Sequence, residues 1–225
     1  EAEPGDTLTA VELIRLADIP PGTNYHSVSL GQVARRIAAH EPRVRRAFVR
    51  KGALGVLRIG VEERTAVCRI GLAAPARYLD ANGVLFTRPT APATPVPVVE
   101  GLPRQLPVRA FGQRLGGDPR IANVLDCLRH MDMVFTDYHP LDVDRVMLAP
   151  NGRMTLTLRQ GTRVLLGEPT DFHEKFYAVR QDIIDASQRG FALHQVDYID
   201  ARAPHRAAGL GAEYKLREGA EGAQP

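Results

Sequence analysis

The sequence predicts an α+β protein: a small ααββ unit followed by a mostly antiparallel β unit that carries two helices. Three observations predict it. A capped helical segment and an apolar stripe at helical spacing precede two strand patterns within roughly the first 65 residues. Past Thr65 the apolar residues fall into short runs, separated by turn pairs such as Asn82-Gly83 and Asn151-Gly152. Two further helical stripes interrupt those runs, one after Asp118 and one from Phe172.

Thr9 and Glu12 match a capping box, in which each side chain satisfies the other residue's backbone N–H. A helix is expected through Val11, Leu13, Ile14, Leu16 and Ala17, and Pro20-Pro21-Gly22 stops it. Ser29 and Gln32 match a second box. Leu30, Val33, Ala34, Ile37 and Ala38 then line one helix face, before Pro42. Val44 to Arg50 reads as a basic strand. In Leu57, Ile59 and Val61 the apolar residues alternate with Arg58, Gly60 and Glu62, as on a sheet with one wet face. Gly52 and Gly55 mark the turn between these strands.

In the second part, Val67, Arg69 and Gly71 alternate with Cys68, Ile70 and Leu72. Arg77 to Leu79 and Val84 to Phe86 flank Asp80-Ala81-Asn82-Gly83, a hairpin signal because Asn-Gly tolerates positive φ. Pro89, Pro92, Pro95, Pro97, Pro103 and Pro107 exclude a central strand from the connection that follows, which is expected to be a surface loop or a linker. Asp118-Pro119 reads as an N-cap with proline at the first helical position, and Ile121, Val124, Leu125, Leu128 and Met131 form that helix's stripe. Strands are expected at 143–148, 154–158 and 162–166. A helix over 172–188 ends at Gly190, and a last strand covers 196–199. The domains are therefore set at 1–66 and 67–203, with 204–225 a flexible tail rich in Ala, Gly, Arg and Glu.

Of 225 residues, 44% are hydrophobic, enough to give one large or two small domains a core. Mean hydropathy is −0.19 and no run of about 18 apolar residues appears, so this sequence carries no membrane span of its own. It starts at Glu1 rather than Met and is read as a fragment or mature chain whose signal or anchor lies outside it. A net charge of +3 does not demand a nucleic-acid partner. The local cluster Arg35, Arg36, Arg43, Arg45, Arg46, Arg50 and Lys51 suits a solvated face, or a surface for acidic protein or anionic headgroups. Cys68 and Cys127 share no motif; they either pair in an oxidising compartment or stay buried thiols.

No catalytic constellation emerges. The chain lacks a phosphate-binding Gly-Lys-Ser/Thr loop, H-E-x-x-H and G-x-S-x-G. His173-Glu174 has no second histidine at zinc-protease spacing, and His130, His139, His194 and His205 are scattered. Asp142 and Asp144 fit a solvated strand end. Without tryptophan, and with its six tyrosines dispersed, the chain does not read as an RNA-stacking sheet. The expectation is no enzyme, no cofactor and no metal.

An ordered series of short motifs resembles the FtsQ/DivIB family of bacterial division proteins. Leu8-Thr9-Ala10, Gly22-Thr23-Asn24-Tyr25 and Val28-Ser29-Leu30 look like the opening of its polypeptide-transport-associated (POTRA) domain. Glu41 to Arg50 and Leu57 to Val67 resemble that domain's strands, with Ala66 where proline is usual. Asp80 to Phe86, Pro97 to Gly101, Leu165-Leu166-Gly167 with Lys175, and Ile199-Asp200-Ala201-Arg202 resemble the β domain's segments in order. Residues 8 to about 203 are covered. The domain's first strand, expected before Thr7, has no counterpart.

The resemblance implies a single-pass inner-membrane protein with this chain on the periplasmic side, at the division septum. It implies a POTRA unit near the membrane and a β domain that takes FtsB- and FtsL-like partners as an added strand, since an open edge offers unpaired N–H and C=O groups. Carried over by position, the partner-binding residues are Asp200, Arg202, Ala203, His205, Arg206, Ala207 and Ala208. Arg202 is the leading one, poised to fork onto a partner carboxylate, and Arg202→Glu is expected to abolish partner capture. The arginines at 35, 36, 43, 45, 46 and 50 form the POTRA surface. The rival readings are a POTRA protein of secretion or outer-membrane assembly, which would repeat the unit, and a basic nucleic-acid binder, which would show a steep salt slope. A hydrolase with an interdomain cleft is a third, and it would need converging titratable groups.

Overall fold

The computed structural model describes residues 3, 5–71, 75–88, 94–102, 111–136, 141–203 and 213–217. In chain order the elements are helices α1 (Ala10–Ala17) and α2 (Leu30–His40), then strands β1 (Val44–Lys51), β2 (Leu57–Glu63), β3 (Cys68–Ile70), β4 (Arg77–Leu79), β5 (Leu85–Phe86) and β6 (Val98–Glu100). Helix α3 (Pro119–Phe135), strands β7 (Val143–Leu148), β8 (Met154–Leu158) and β9 (Arg163–Gly167), helix α4 (Phe172–Gln188), and strands β10 (Val196–Asp200) and β11 (Glu213–Leu216) complete it. Two compact units divide the chain. The first takes residues 1–66, 73–95 and 107–115; the second takes 67–72, 96–106 and 116–225.

In the first unit, α1 starts at the expected box: Glu12 accepts from the Thr9 amide at 2.8 Å, and Thr9 Oγ1 accepts from the Glu12 amide at 3.3 Å. The second box does not form. Ser29 is the N-cap of α2, but its carbonyl, not its hydroxyl, takes the amides of Gln32 and Val33. Strands β1 and β2 pair antiparallel from Val44 opposite Glu63 to Lys51 opposite Leu57. Leu8, Leu13, Ala17, Val33, Ile37, Val44 and Ile59 close over one face as the core. Each fully buried leucine or isoleucine there contributes roughly 1.5–3 kcal/mol by leaving water. Val11 and Ile14 of α1 are exposed, because only Leu13 and Ala17 of that helix turn fully onto the core.

The hairpin β4–β5 packs with this first unit. Asp80 closes its turn by accepting from the amides of Asn82 (2.9 Å) and Val84 (2.8 Å). The same carboxylate meets Arg64 at 2.6 Å, and Arg64 also donates to the Pro42 carbonyl at 2.9 Å. Both side chains of that pair are largely buried, so it ties the end of β2 to the hairpin through a desolvated charge pair.

The second unit holds a mixed sheet with the strand order β11-β10-β9-β8-β7-β6-β3. The ladders β7–β8, β8–β9 and β10–β11 are antiparallel, while β3–β6, β6–β7 and β9–β10 are parallel. One expectation is overturned here. The proline-rich connection contributes a central strand, β6, hydrogen-bonded to β7 on one side and β3 on the other. The prolines do not prevent it because Val98–Glu100 is a proline-free window between Pro97 and Pro103, and three residues are enough for two short ladders. Helices α3 and α4 meet through aromatic rings, Phe135 edge-on to Phe176 at 6.5 Å and His130 tilted against Phe172 at 6.3 Å. Asp118 caps α3 through the Arg120 amide, as the Asp-Pro pair predicts. Cys68 and Cys127 are free thiols, both buried. No helix among the described residues is long and apolar enough to cross a membrane.

Candidate functional site

The C-terminal border of the second sheet is where the family resemblance implies partner binding. Thr162 begins its support: its buried hydroxyl lies 2.6 Å from the Leu193 carbonyl and 3.0 Å from the Val196 carbonyl and shares its single proton between them at the start of β10. Val196 and Ile199 then point into the core, while Asp197 reaches Arg163 of β9 at 3.1 Å. Ala201 extends the pairing past β10 by donating its amide to the Leu165 carbonyl at 3.0 Å.

The edge of β10 is not open. Strand β11 pairs with it antiparallel, with Val196 opposite Leu216, Tyr198 opposite Lys215, Ile199 opposite Tyr214 and Asp200 opposite Glu213. Glu213–Leu216 lies in the segment read as flexible tail, so the border strand is one element later than expected. The signal was present but short: Tyr214 and Leu216 alternate with charged residues, the period-2 pattern of a half-buried strand. Tyr214 secures β11 to α4, its hydroxyl 3.4 Å from Asp185 Oδ2 and its ring beneath the Arg189 guanidinium at 6.0 Å. Partial burial raises the Tyr214 pKa above the ordinary tyrosine range, Asp185 adds to the rise, and Arg189 opposes it. At the other end of β11 the Arg217 amide donates to the Gln195 carbonyl at 2.8 Å.

Arg202 is also placed differently from the expectation. Its Nε donates to Asp200 Oδ1 at 2.8 Å and its Nη2 to Asp200 Oδ2, so the fork closes on its own chain. Its stem lies over Gly167, where an added Cβ would sit 3.0 Å from Arg202 Cγ. The hydrogen bonds to Asp200 raise the guanidinium pKa further. Asp200, Arg202 and the exposed Ala203 thus form one corner at the end of β10. His205, Arg206, Ala207 and Ala208 lie outside the described residues.

The POTRA-surface arginines separate into two groups. Arg36 donates to the carbonyls of Ala17 and Asp18 at the end of α1 (3.0 and 2.9 Å), and Arg43 forks onto Glu41 (2.8 Å) and reaches Thr7 and Glu12. Both serve the fold. Arg45 pairs with Glu62 at 2.9 Å. Arg46 lies over the Phe48 ring at 4.9 Å, and Arg35 and Arg50 are exposed. Asp142 and Asp144 share Arg159 at 2.6 and 3.6 Å. Among the described residues no group of three or more His, Cys, Asp or Glu is placed to hold a metal.

An ααββ unit with a short N-terminal segment along β2, followed by a mixed sheet bordered by its last two strands, defines a POTRA-containing α+β protein. The family model described as POTRA domain, FtsQ-type, matches residues 6–64, and the one described as Cell division protein FtsQ/DivIB, C-terminal, matches residues 73–202. The chain belongs to the FtsQ/DivIB family of cell division proteins. It is 29% identical over 199 residues to "Cell division protein FtsQ" of Syntrophotalea carbinolica, covering 87% of this chain and 66% of that one. It is 34% identical over 151 residues to "Cell division protein FtsQ" of Rhodothermus marinus, covering 61% and 53%. The chain spans between half and two thirds of the length of these relatives.

Proposed function

We propose that this chain is the extracytoplasmic part of a single-pass inner-membrane protein that acts at the division septum as a non-enzymatic scaffold. In this reading its second sheet receives an FtsB- or FtsL-like segment as an added strand. The observation that carries it is the border position of β11: one side pairs with β10, and no described strand pairs with the other. An edge of this kind supplies backbone hydrogen bonds for affinity while alternate side chains select the partner. The docking strand is therefore β11, and the corner of Asp200, Arg202 and Ala203 borders it.

The test is capture of an FtsB-like segment by three forms of the chain. The full chain should bind. A chain ending at Ala203 should lose binding altogether. Arg202→Glu should weaken it by roughly tenfold, because two carboxylates would repel at the end of the β10–β11 ladder. Tighter binding by the shortened chain would move the docking strand to β10, and unchanged binding would remove the edge from the proposal.

A further inference from the structure

The turn between β1 and β2 carries a side chain that neither the turn nor the core needs. Leu54 adopts φ 54° and ψ 31°, the left-handed region that glycine and asparagine enter most easily. Its side chain is 101% exposed. A leucine here meets backbone strain and gains no burial within the chain, a combination that points to something the side chain enters from outside.

Its surroundings name the chemistry of that something. From Pro42 to Val61 the sequence holds no Asp or Glu, while it holds Arg43, Arg45, Arg46, Arg50, Lys51 and Arg58. Arg43 and Arg45 are held by Glu41 and Glu62, away from the turn. Arg50 is exposed near the end of β1, and the exposed Lys51 follows it, its Nζ donating to the His26 carbonyl at 3.2 Å. Tyr25 buttresses the turn: its hydroxyl donates to the Gly52 carbonyl at 2.7 Å, and Lys51 Nζ lies 5.1 Å from its ring centre. The N-terminal segment runs in the same direction as β2, with the Glu3 amide on the Ile59 carbonyl and the Thr7 amide on Glu63. The polypeptide therefore travels away from this turn as it passes from Glu3 to Thr7.

We infer that the β1–β2 turn is a bilayer contact, in which Leu54 enters the headgroup–acyl boundary of an anionic leaflet while Arg50 and Lys51 meet lipid phosphates. An apolar tip, the adjacent cations Arg50 and Lys51, and a tyrosine at its base form the composition that partitions to a membrane interface. A protein partner is the weaker match, since a stable protein interface buries about 800 Å² per side and one convex leucine offers little of that. The inference deepens the membrane half of the proposed function. Its test uses the chain without any anchor or partner, so its failure leaves the β11 edge standing.

The chain has no tryptophan, so Leu54→Trp provides a probe with no background. Its emission should shift to the blue, and be quenched by brominated lipid, on adding phosphatidylcholine vesicles that contain phosphatidylglycerol. Phosphatidylcholine alone should leave it unchanged. Adding Arg50→Glu and Lys51→Glu should weaken the apparent affinity roughly tenfold or more. Met133→Trp, at an exposed position on α3, is the control and should not shift. Leu54→Gly should melt no lower than the parent chain and no longer float with the anionic vesicles. The idea is overturned by no shift at position 54, by an equal shift on neutral vesicles, or by an equal shift at position 133.

Discussion

Both ends of the chain close a sheet border, and they do so by different means. Near the start, among the described residues, Glu3 donates a backbone bond to Ile59 of β2, Arg43 donates to the Thr7 carbonyl at 3.3 Å, and the Glu63 side chain holds the segment most closely. That carboxylate accepts from the amides of Thr7 and Leu8, both at 2.9 Å, and from the Thr7 hydroxyl. At the other end β11 pairs with β10 along a four-position register, with Tyr214 fastening it to α4. One closure is a carboxylate clamp and the other a strand ladder. A clamp fails with a single substitution, whereas a ladder spreads its hold over backbone groups that no side-chain change removes.

The largest effect should come from another carboxylate clamp in the first unit. Asp80→Ala leaves Arg64 largely buried without its counter-charge and frees the amides of Asn82 and Val84. A loss of about 3–5 kcal/mol is expected in urea unfolding. Glu63→Ala should cost about 2 kcal/mol and speed hydrogen exchange at the Thr7 and Leu8 amides, while the β11 amides keep their protection. An equal loss of protection at both ends would erase the distinction between clamp and ladder.

Tyr214→Phe should cost only about 0.5–1 kcal/mol, since it removes one long hydrogen bond and leaves the ladder. Its pH signature is sharper than its size. The folded chain holds the Tyr214 proton more tightly than the unfolded chain does. The stabilisation is therefore complete below about pH 10 and is lost as pH rises through the folded value. The parent chain should lose β11 protection in that window, and the phenylalanine variant should not. The smallest effect is none at all. Burial pushes the Cys68 thiol up to about 12 and raises Cys127 as well, with Asp126 adding to the second. Neither should react with iodoacetamide in the native chain near pH 8, and both should do so in urea.

Local signals were legible and long-range ones were not. The Thr9–Glu12 box, the Asp118 cap, the Asp80 to Gly83 turn and the span of α4 from Phe172 to Gln188 all follow from residues a few positions apart. Ser29 shows the limit even of a local rule: its backbone carbonyl took the amides the hydroxyl was expected to hold. Strand β6 was concealed because prolines on both sides mask a three-residue window whose partners come from β3 and β7. The candidate site was legible in position and not in state. The segment from Ile199 to Arg202 was found, yet the partners of its edge and of its arginine were not.

By itself the sequence determined the helix ends, the strand periods, the turns and the ordered motifs that place the chain in its family, because each depends on neighbours in the chain. Only the tertiary structure decided which borders are covered and which arginines remain outward. Edge pairing joins backbone groups that carry no residue-type signature, so β11 against β10 leaves little trace in composition. An arginine's partner is chosen by whichever carboxylate or carbonyl the fold brings within about 3 Å, and for Arg36 that is the end of another helix 18 residues away.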